Sequence, residues 1–154
     1  MIVIDIKTDF INDDMYLPEY AHKTDAAVDL QANINKPIIL SYGEQKLIPT
    51  GISVGLPGTP DEDFNWVLDI VPRSGLANKH GLTITNSPGK IDSSFRGMIH
   101  IIVRNTKKDA FLITPGMRLA QMQLSKAYKI SWNEVDSLDE TERGQGGFGS
   151  TGHD

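Results

Sequence analysis

The chain has 154 residues, no cysteine, and 20 acidic against 15 Lys and Arg side chains, for a formal net charge of −5. That length fits one domain with its own core, and the acidic balance argues against a generic nucleic-acid binder, whose totals would show a basic excess. Without cysteine there is no disulfide framework, thiolate metal site or Cys nucleophile, although a few well-placed cations can still hold an anion in one cleft.

The apolar run at residues 1–4 is broken by Asp5, too early for the apolar stretch of a signal peptide. No segment approaches the ~18 apolar residues of a membrane span. The expectation is a soluble protein, cytoplasmic or otherwise intracellular, with no membrane partner. Residues 2–7 alternate apolar and polar and predict a first strand. A loop interrupted by Pro18 follows, then Thr24-Asp25-Ala26-Ala27-Val28-Asp29-Leu30, which on local grounds is a strand start with an exposed acid. Short β-favouring runs recur at 38–40, 45–48, 52–56 and 66–71, punctuated by Pro49, Gly51, Pro57, Gly58 and Pro60. No long helical period appears before residue 73. That spacing predicts an all-β sandwich or jelly roll rather than βαβ units, with residues 59–65 as a surface excursion.

Residues 74–80 form the best helix candidate, short, with Ser74 as its cap, Gly75 next, and Gly81 as its stop after Lys79 and His80. Arg73-Ser74-Gly75 at its start brings free N–H groups, a hydroxyl and a guanidinium together. Such a set suits a phosphate, and it is also what an ordinary capped turn with a surface arginine looks like.

Residues 86–97 read as a hairpin. Residues 83–85 lead in, Ser87-Pro88-Gly89 supplies the turn, and 98–103 lead out. Asp92, beside Ile91 and an apolar Phe95, is an awkward place for a charge unless it has a partner or work to do. Taken alone, Ile-Asp-Ser after a turn is more often only a capped surface turn. Residues 111–113 and 118–124 are further strands. In the second, alternation sets Leu119, Gln121 and Gln123 against Ala120, Met122 and Leu124, and Gln121 must find partners if buried. From Asp139 the chain becomes glycine-laden, with Arg143 and Phe148 among the glycines. It is either a disordered end or a lid that wraps phosphates and stacks a ring on a flat group.

In order, five segments resemble the motif series of the trimeric dUTPases, the deoxyuridine triphosphate nucleotidohydrolases. They are Ala26-Ala27-Val28-Asp29-Leu30, Pro72-Arg73-Ser74-Gly75-Leu76-Ala77, Gly89-Lys90-Ile91-Asp92-Ser93-Ser94-Phe95-Arg96-Gly97, Gly116-Met117-Arg118-Leu119-Ala120-Gln121-Met122, and residues 143–152. Together they span residues 26–152. The resemblance implies a β jelly roll with one short helix, assembled as a homotrimer with sites between subunits. It divides the chain into a domain at 1–138 and a flexible tail at 139–154 that closes over the active site.

The implied reaction is dUTP plus water to dUMP and pyrophosphate, by attack of water on the α-phosphorus. Asp92 matches the catalytic aspartate that activates the water. Asn86 and the main chain of Gly89, Lys90 and Ile91 would pair with the uracil edge, and Phe95 would lie against the deoxyribose. Arg73, Ser74, Gly75, Gln121 and Arg143 would meet the phosphates, Phe148 would cover the uracil, and Gly149 and Ser150 would join it in the closing tail. His100 occupies a position that contacts nucleotide in some relatives. Asp29 would act through water or by orienting an arginine. Mg²⁺ would ride on the triphosphate with no direct protein ligand. Three positions depart from the family pattern: Phe95 replaces a tyrosine, Ala27 a glycine, and Lys90 a small or apolar residue, its charge either on phosphate or pointing outward. The alternatives are a dCTP deaminase-like or bifunctional enzyme on the same fold, and a non-catalytic β-sandwich interaction module.

Overall fold

Antiparallel pairing of short strands organises the chain. The computed structural model describes residues 1–59 and 63–147. The larger sheet holds β2 (Val28–Gln31), β11 (Arg118–Tyr128), β6 (Phe64–Pro72) and β8 (Gly89–Asp92) in the order β2-β11-β6-β8. The second holds β4 (Gln45–Pro49), β9 (His100–Asn105) and β7 (Leu82–Ile84) in the order β4-β9-β7. Two ribbons complete the strands: β1 (Asp5–Thr8) with β5 (Ile52–Gly55), and β3 (Ile38–Leu40) with β10 (Phe111–Ile113). The helix α1 runs Ser74–His80. Both sheets turn alternate side chains inward. Leu30, Leu68, Ile70 and Ala120 from one meet Ile48, Ile84, Ile101 and Val103 from the other in one core. Burying each such side chain stabilises the fold by roughly 1.5–3 kcal/mol. This is the all-β jelly-roll class expected from strand spacing. Among the described residues no helix is long and apolar enough to cross a membrane.

Four local expectations change. The first strand is β1, not residues 2–7, because its ladder is set by the four residues of β5, Asp5 facing Gly55 and Thr8 facing Ile52. Arg73, not Ser74, holds the helix N-cap position, in extended backbone with no side-chain cap bond. Gly81 does end the helix, at φ 64° in the left-handed region that glycine tolerates. A register shift between Arg118 and Ala120 places a bulge at the start of β11. Leu119 and Ala120 are therefore both buried, and simple alternation fails there.

The hairpin is the fourth. Its arms pair as expected, Thr83 with Arg104 and Ile84 with Val103. The segment between them does more than turn. It crosses to the other sheet, where β8 pairs with β6, Ile91 opposite Leu68 and Asp92 opposite Val67. Every residue from 126 to 147 is exposed.

Candidate functional site

The sequence-predicted site residues fall into two groups. The first gathers where β2, β11 and the end of β6 meet the helix. Gln121 on β11 is opposite Asp29 on β2 and Val71 on β6, which puts the glutamine and the aspartate on one face. Beyond Pro72 the chain passes into α1, whose first hydrogen bond runs from Ala77 N–H to the Arg73 carbonyl at 2.9 Å. The N–H groups of Ser74, Gly75 and Leu76 are left without helical partners. No acidic residue occupies the first turn. Arg73, Ser74, Gly75, Lys79, His80 and Gln121 line a cavity of about 320 Å³ beside this turn.

Asp29 braces the cavity. Its Oδ1 lies 3.1 Å from Arg73 Nε and its Oδ2 3.3 Å from Arg118 Nη1. Arg73 Nη1 also donates to the Arg118 carbonyl at 3.1 Å. The Arg73 contact is ionic rather than a hydrogen bond, since Asp29 Oδ1 is buried and has no aligned donor. Asp29 therefore orients an arginine, one of the two roles the motif comparison allows. Arg118 belongs with this group and was not among the predicted site residues. Its signal was an arginine two positions after Gly116, whose φ of 71° turns the chain into β11.

The second group surrounds β8. This strand is the edge of its sheet, so one side of it offers main-chain N–H and C=O groups that no strand pairs. Gly89 is buried opposite Ile70. A Cβ on it would lie 2.9 Å from Asn86 Nδ2, so the Asn86 side chain packs directly over the glycine. Asp92 closes the strand. Its side chain is exposed and has no hydrogen-bond or ion-pair partner among the described residues. Its carbonyl accepts from Phe95 N–H at 3.0 Å, and Arg96 Nη1 donates to the Ser93 and Phe95 carbonyls at 2.7 and 2.8 Å, fixing the turn. Phe95 is 41% exposed, not buried as its apolar character suggested, and its ring covers Gly97.

Other candidates stand apart. The Lys90 side chain is half exposed, yet its ammonium already has a partner. It is 2.5 Å from Asp69 Oδ1 on β6, directly across the ladder. Asp69 is buried and its other oxygen accepts from Ser125 Oγ at 2.8 Å. Burial pushes the Asp69 carboxyl up, but hydrogen bonds from Lys90 and Ser125 and the lysine charge outweigh it, so the net shift is downward. His100 lies on the other sheet, opposite Pro49, with Nδ1 2.9 Å from the Met98 carbonyl. That partner requires the proton on Nδ1. Arg143 is turned onto its own segment, Nε donating to the Gly146 carbonyl at 2.9 Å. Phe148, Gly149 and Ser150 lie outside the described residues.

Asp29 on β2 and Asp92 on β8 sit at opposite edges of one sheet, with Gln121 on β11 and the end of β6 between them. Three strand spacings, about 14 Å, separate those edges. Among the described residues, no group of three or more His, Asp or Glu side chains is placed to hold a metal ion.

A profile of the dUTPase family matches residues 13–152. The chain belongs to the dUTPase family. Deoxyuridine 5'-triphosphate nucleotidohydrolases of Rickettsia canadensis (strain McKiel) and Rickettsia bellii (strain OSU 85-389) are 52% and 53% identical to it over 136 residues, 88% of this chain and 88% and 87% of theirs. Among solved structures, a mutant dUTPase of Staphylococcus bacteriophage 80alpha with dUpNHpp superposes with TM-score 0.76 at 25% identity, covering 98% of this chain and 99% of that one. A mutant dUTPase from phage phi11 of S. aureus, described with a coordinated structural Mg(II) ion, has TM-score 0.73 at 21% identity, covering 90% and 99%. The first, second and fourth dUTPase motif segments thus meet where edge strand β2, the neighbouring β11 and the end of β6 run together, while the third lies on the other edge strand, β8.

Proposed function

We propose that the chain hydrolyses dUTP to dUMP and pyrophosphate, with Asp92 as the group that orients the attacking water and takes its proton. The observation that carries this reading is the Asp92 carboxylate, exposed and unpaired, at the end of an edge strand whose glycine is roofed by Asn86. The unpaired main chain of Gly89, Lys90 and Ile91 and the Asn86 amide are the right donors and acceptors for a uracil edge. A cytosine would present a donor where uracil presents an acceptor and leave buried groups unpaired. Phe95 supplies a flat apolar face for the deoxyribose, without the hydroxyl of a tyrosine.

The phosphates are assigned to the other group. Arg73, braced by Asp29, offers its remaining guanidinium donors. Ser74, Gly75 and Gln121 offer the hydroxyl, the N–H groups and the amide. Water attacks the α-phosphorus, the bond from that phosphorus to the bridging oxygen breaks, and the electron pair leaves with pyrophosphate. The proton of the water passes to Asp92. Arginine and N–H donors stabilise the charge that gathers on the phosphate oxygens. Mg²⁺ enters as part of the substrate, on the triphosphate oxygens, with waters filling the rest of its coordination sphere.

A complete site then takes its two halves from neighbouring copies, which supports the homotrimer. Residues 1–138 form the β domain, and 139–154 form a tail that closes over the nucleotide with Arg143, Phe148, Gly149 and Ser150. The exposure of every residue from 126 to 147 is consistent with a segment that docks on another copy. His100, on the second sheet, joins the site through the same assembly. A dUTP substrate places the protein in the cytoplasm or another intracellular compartment.

The test is pyrophosphate release from a panel of deoxynucleoside triphosphates with Mg²⁺. The expected result is turnover of dUTP alone, reduced by about 10²–10⁴-fold in Asp92→Asn. An Asp92→Asn protein that keeps the parent rate overturns the reading.

A further inference from the structure

Lys90 and Asp92 are two residues apart on β8, so both side chains project from the same face of the sheet, with about 6.6 Å between their Cα atoms. A lysine stem spans that gap. The ammonium nevertheless lies across the ladder on Asp69, at 2.5 Å. Asp69 is in turn fixed by Ser125 Oγ at 2.8 Å and is 6% exposed. Three charged groups surround Asp92: Lys90 on its own strand, Asp69 diagonally across on β6, and Arg96 in the following turn. Arg96 is engaged with the Ser93 and Phe95 carbonyls. On the same face β11 contributes the neutral Gln123, opposite Asp69, and Ser125, opposite Val67. Lys90 is therefore the cation whose stem can swing onto Asp92, and Asp69 is what it holds instead.

We propose that Asp69 is a positioning residue, which keeps the Lys90 ammonium across the strand pair and so leaves the Asp92 carboxylate free to receive the proton of the attacking water. The inference rests on Asp92 having that role. Without the Asp69 charge, the neighbouring full carboxylate available to Lys90 is Asp92. An ion pair there would stabilise the ionised Asp92, occupy the lone pair that the water needs, and weaken it as a base.

The experiment compares the parent, Asp69→Asn, and Asp69→Asn/Lys90→Met, each checked for assembly and melting temperature. It reads kcat and KM for dUTP across pH, and the ¹³C titration of the Asp92 carboxyl. Asp69→Asn is expected to lose about tenfold in kcat with little change in KM, its acid limb and the Asp92 titration both moving about one pH unit lower. Removing the cation as well restores kcat to within about threefold of the parent and returns the limb. Asp69→Ser, which also removes the charge, replaces the amide variant if that one does not fold, with the same expectations. An Asp69→Asn enzyme with the parent kcat and pH profile overturns the proposal. So does a loss that Lys90→Met fails to recover, since Asp69 would then serve the fold alone. The carboxyl titration reports whether Lys90 moves onto Asp92 even if Asp92→Asn proves active, which would instead sink the assignment of Asp92.

Discussion

The Asp29 carboxylate lies 3.1 Å from the Arg73 Nε, and this contact joins two distant sequence motifs at one place on the sheet. Arg73 is 29% exposed at its side chain and Asp29 19%, so solvent screens the pair only in part. The aspartate spends its charge on aiming the guanidinium. Asp29→Asn keeps the shape and removes that hold. Binding of dUpNHpp should weaken by about tenfold, in line with a partly buried charge-assisted contact, while binding of deoxyuridine stays as in the parent. Calorimetry with both ligands checks this, and equal losses for the two would mean that Asp29 supports the fold rather than the phosphate group.

The opposite-edge placement of Asp29 and Asp92 carries its own prediction. If each site draws residue 92 from one chain and residue 73 from another, Asp92→Asn and Arg73→Ala chains are each inactive alone but complementary. Unfolded together in equal amounts and refolded, they should regain about one quarter of the parent activity, the chance that both donors at a site are intact. Activity that stays at the level of the separate variants would place both groups of a site within one chain.

The strand spacing made the fold class legible, because proline and glycine break β-favouring runs at intervals that a helix cannot accommodate. The five motif segments made the site residues legible as types. What the sequence did not carry was where side chains end after long-range pairing. Lys90 beside Asp92 looks like a candidate for phosphate until the ladder sets it opposite Asp69, 21 residues earlier. Ser74 is a good capping residue, yet the extended backbone falls one residue sooner, at Arg73. The hairpin at 83–103 hid a crossing between sheets, since local turn chemistry does not reveal which strand an edge will join. Leu119 was misplaced by a bulge, a one-residue insertion with no signature in alternation.

Gly89 is predicted to govern nucleoside affinity. An added methyl would meet Asn86 Nδ2 at 2.9 Å, with the Asn86 Cγ and the Ile70 Cβ both at 3.5 Å. The strand cannot retreat from Ile70, so the asparagine amide must move off the position assigned to uracil. Overpacking of this kind costs about 1–3 kcal/mol. Gly89→Ala should raise KM for dUTP by about tenfold or more, with kcat changed less, because Asp92 three residues on stays in place. Steady-state kinetics settles it, and an unchanged KM would remove Asn86 from the base-recognition group.

The Asp69–Lys90 pair also makes a prediction about stability and pH. The Asp69 carboxyl is held below its ordinary value of 3.8, so the folded state binds its proton more weakly than the unfolded chain does. Its contribution is then complete from neutral pH down to about pH 5 and is lost as the pH falls through the unfolded and then the lowered folded value. Asp69→Asn/Lys90→Met lacks this ionisable group. In urea unfolding at a series of pH values, any advantage of the parent over the double variant should be constant from pH 7 to about 5. It should then shrink steadily towards pH 3. An advantage that instead grew on acidification would mean that burial outweighs the lysine and serine contacts at Asp69, and that the carboxyl is shifted upward rather than down.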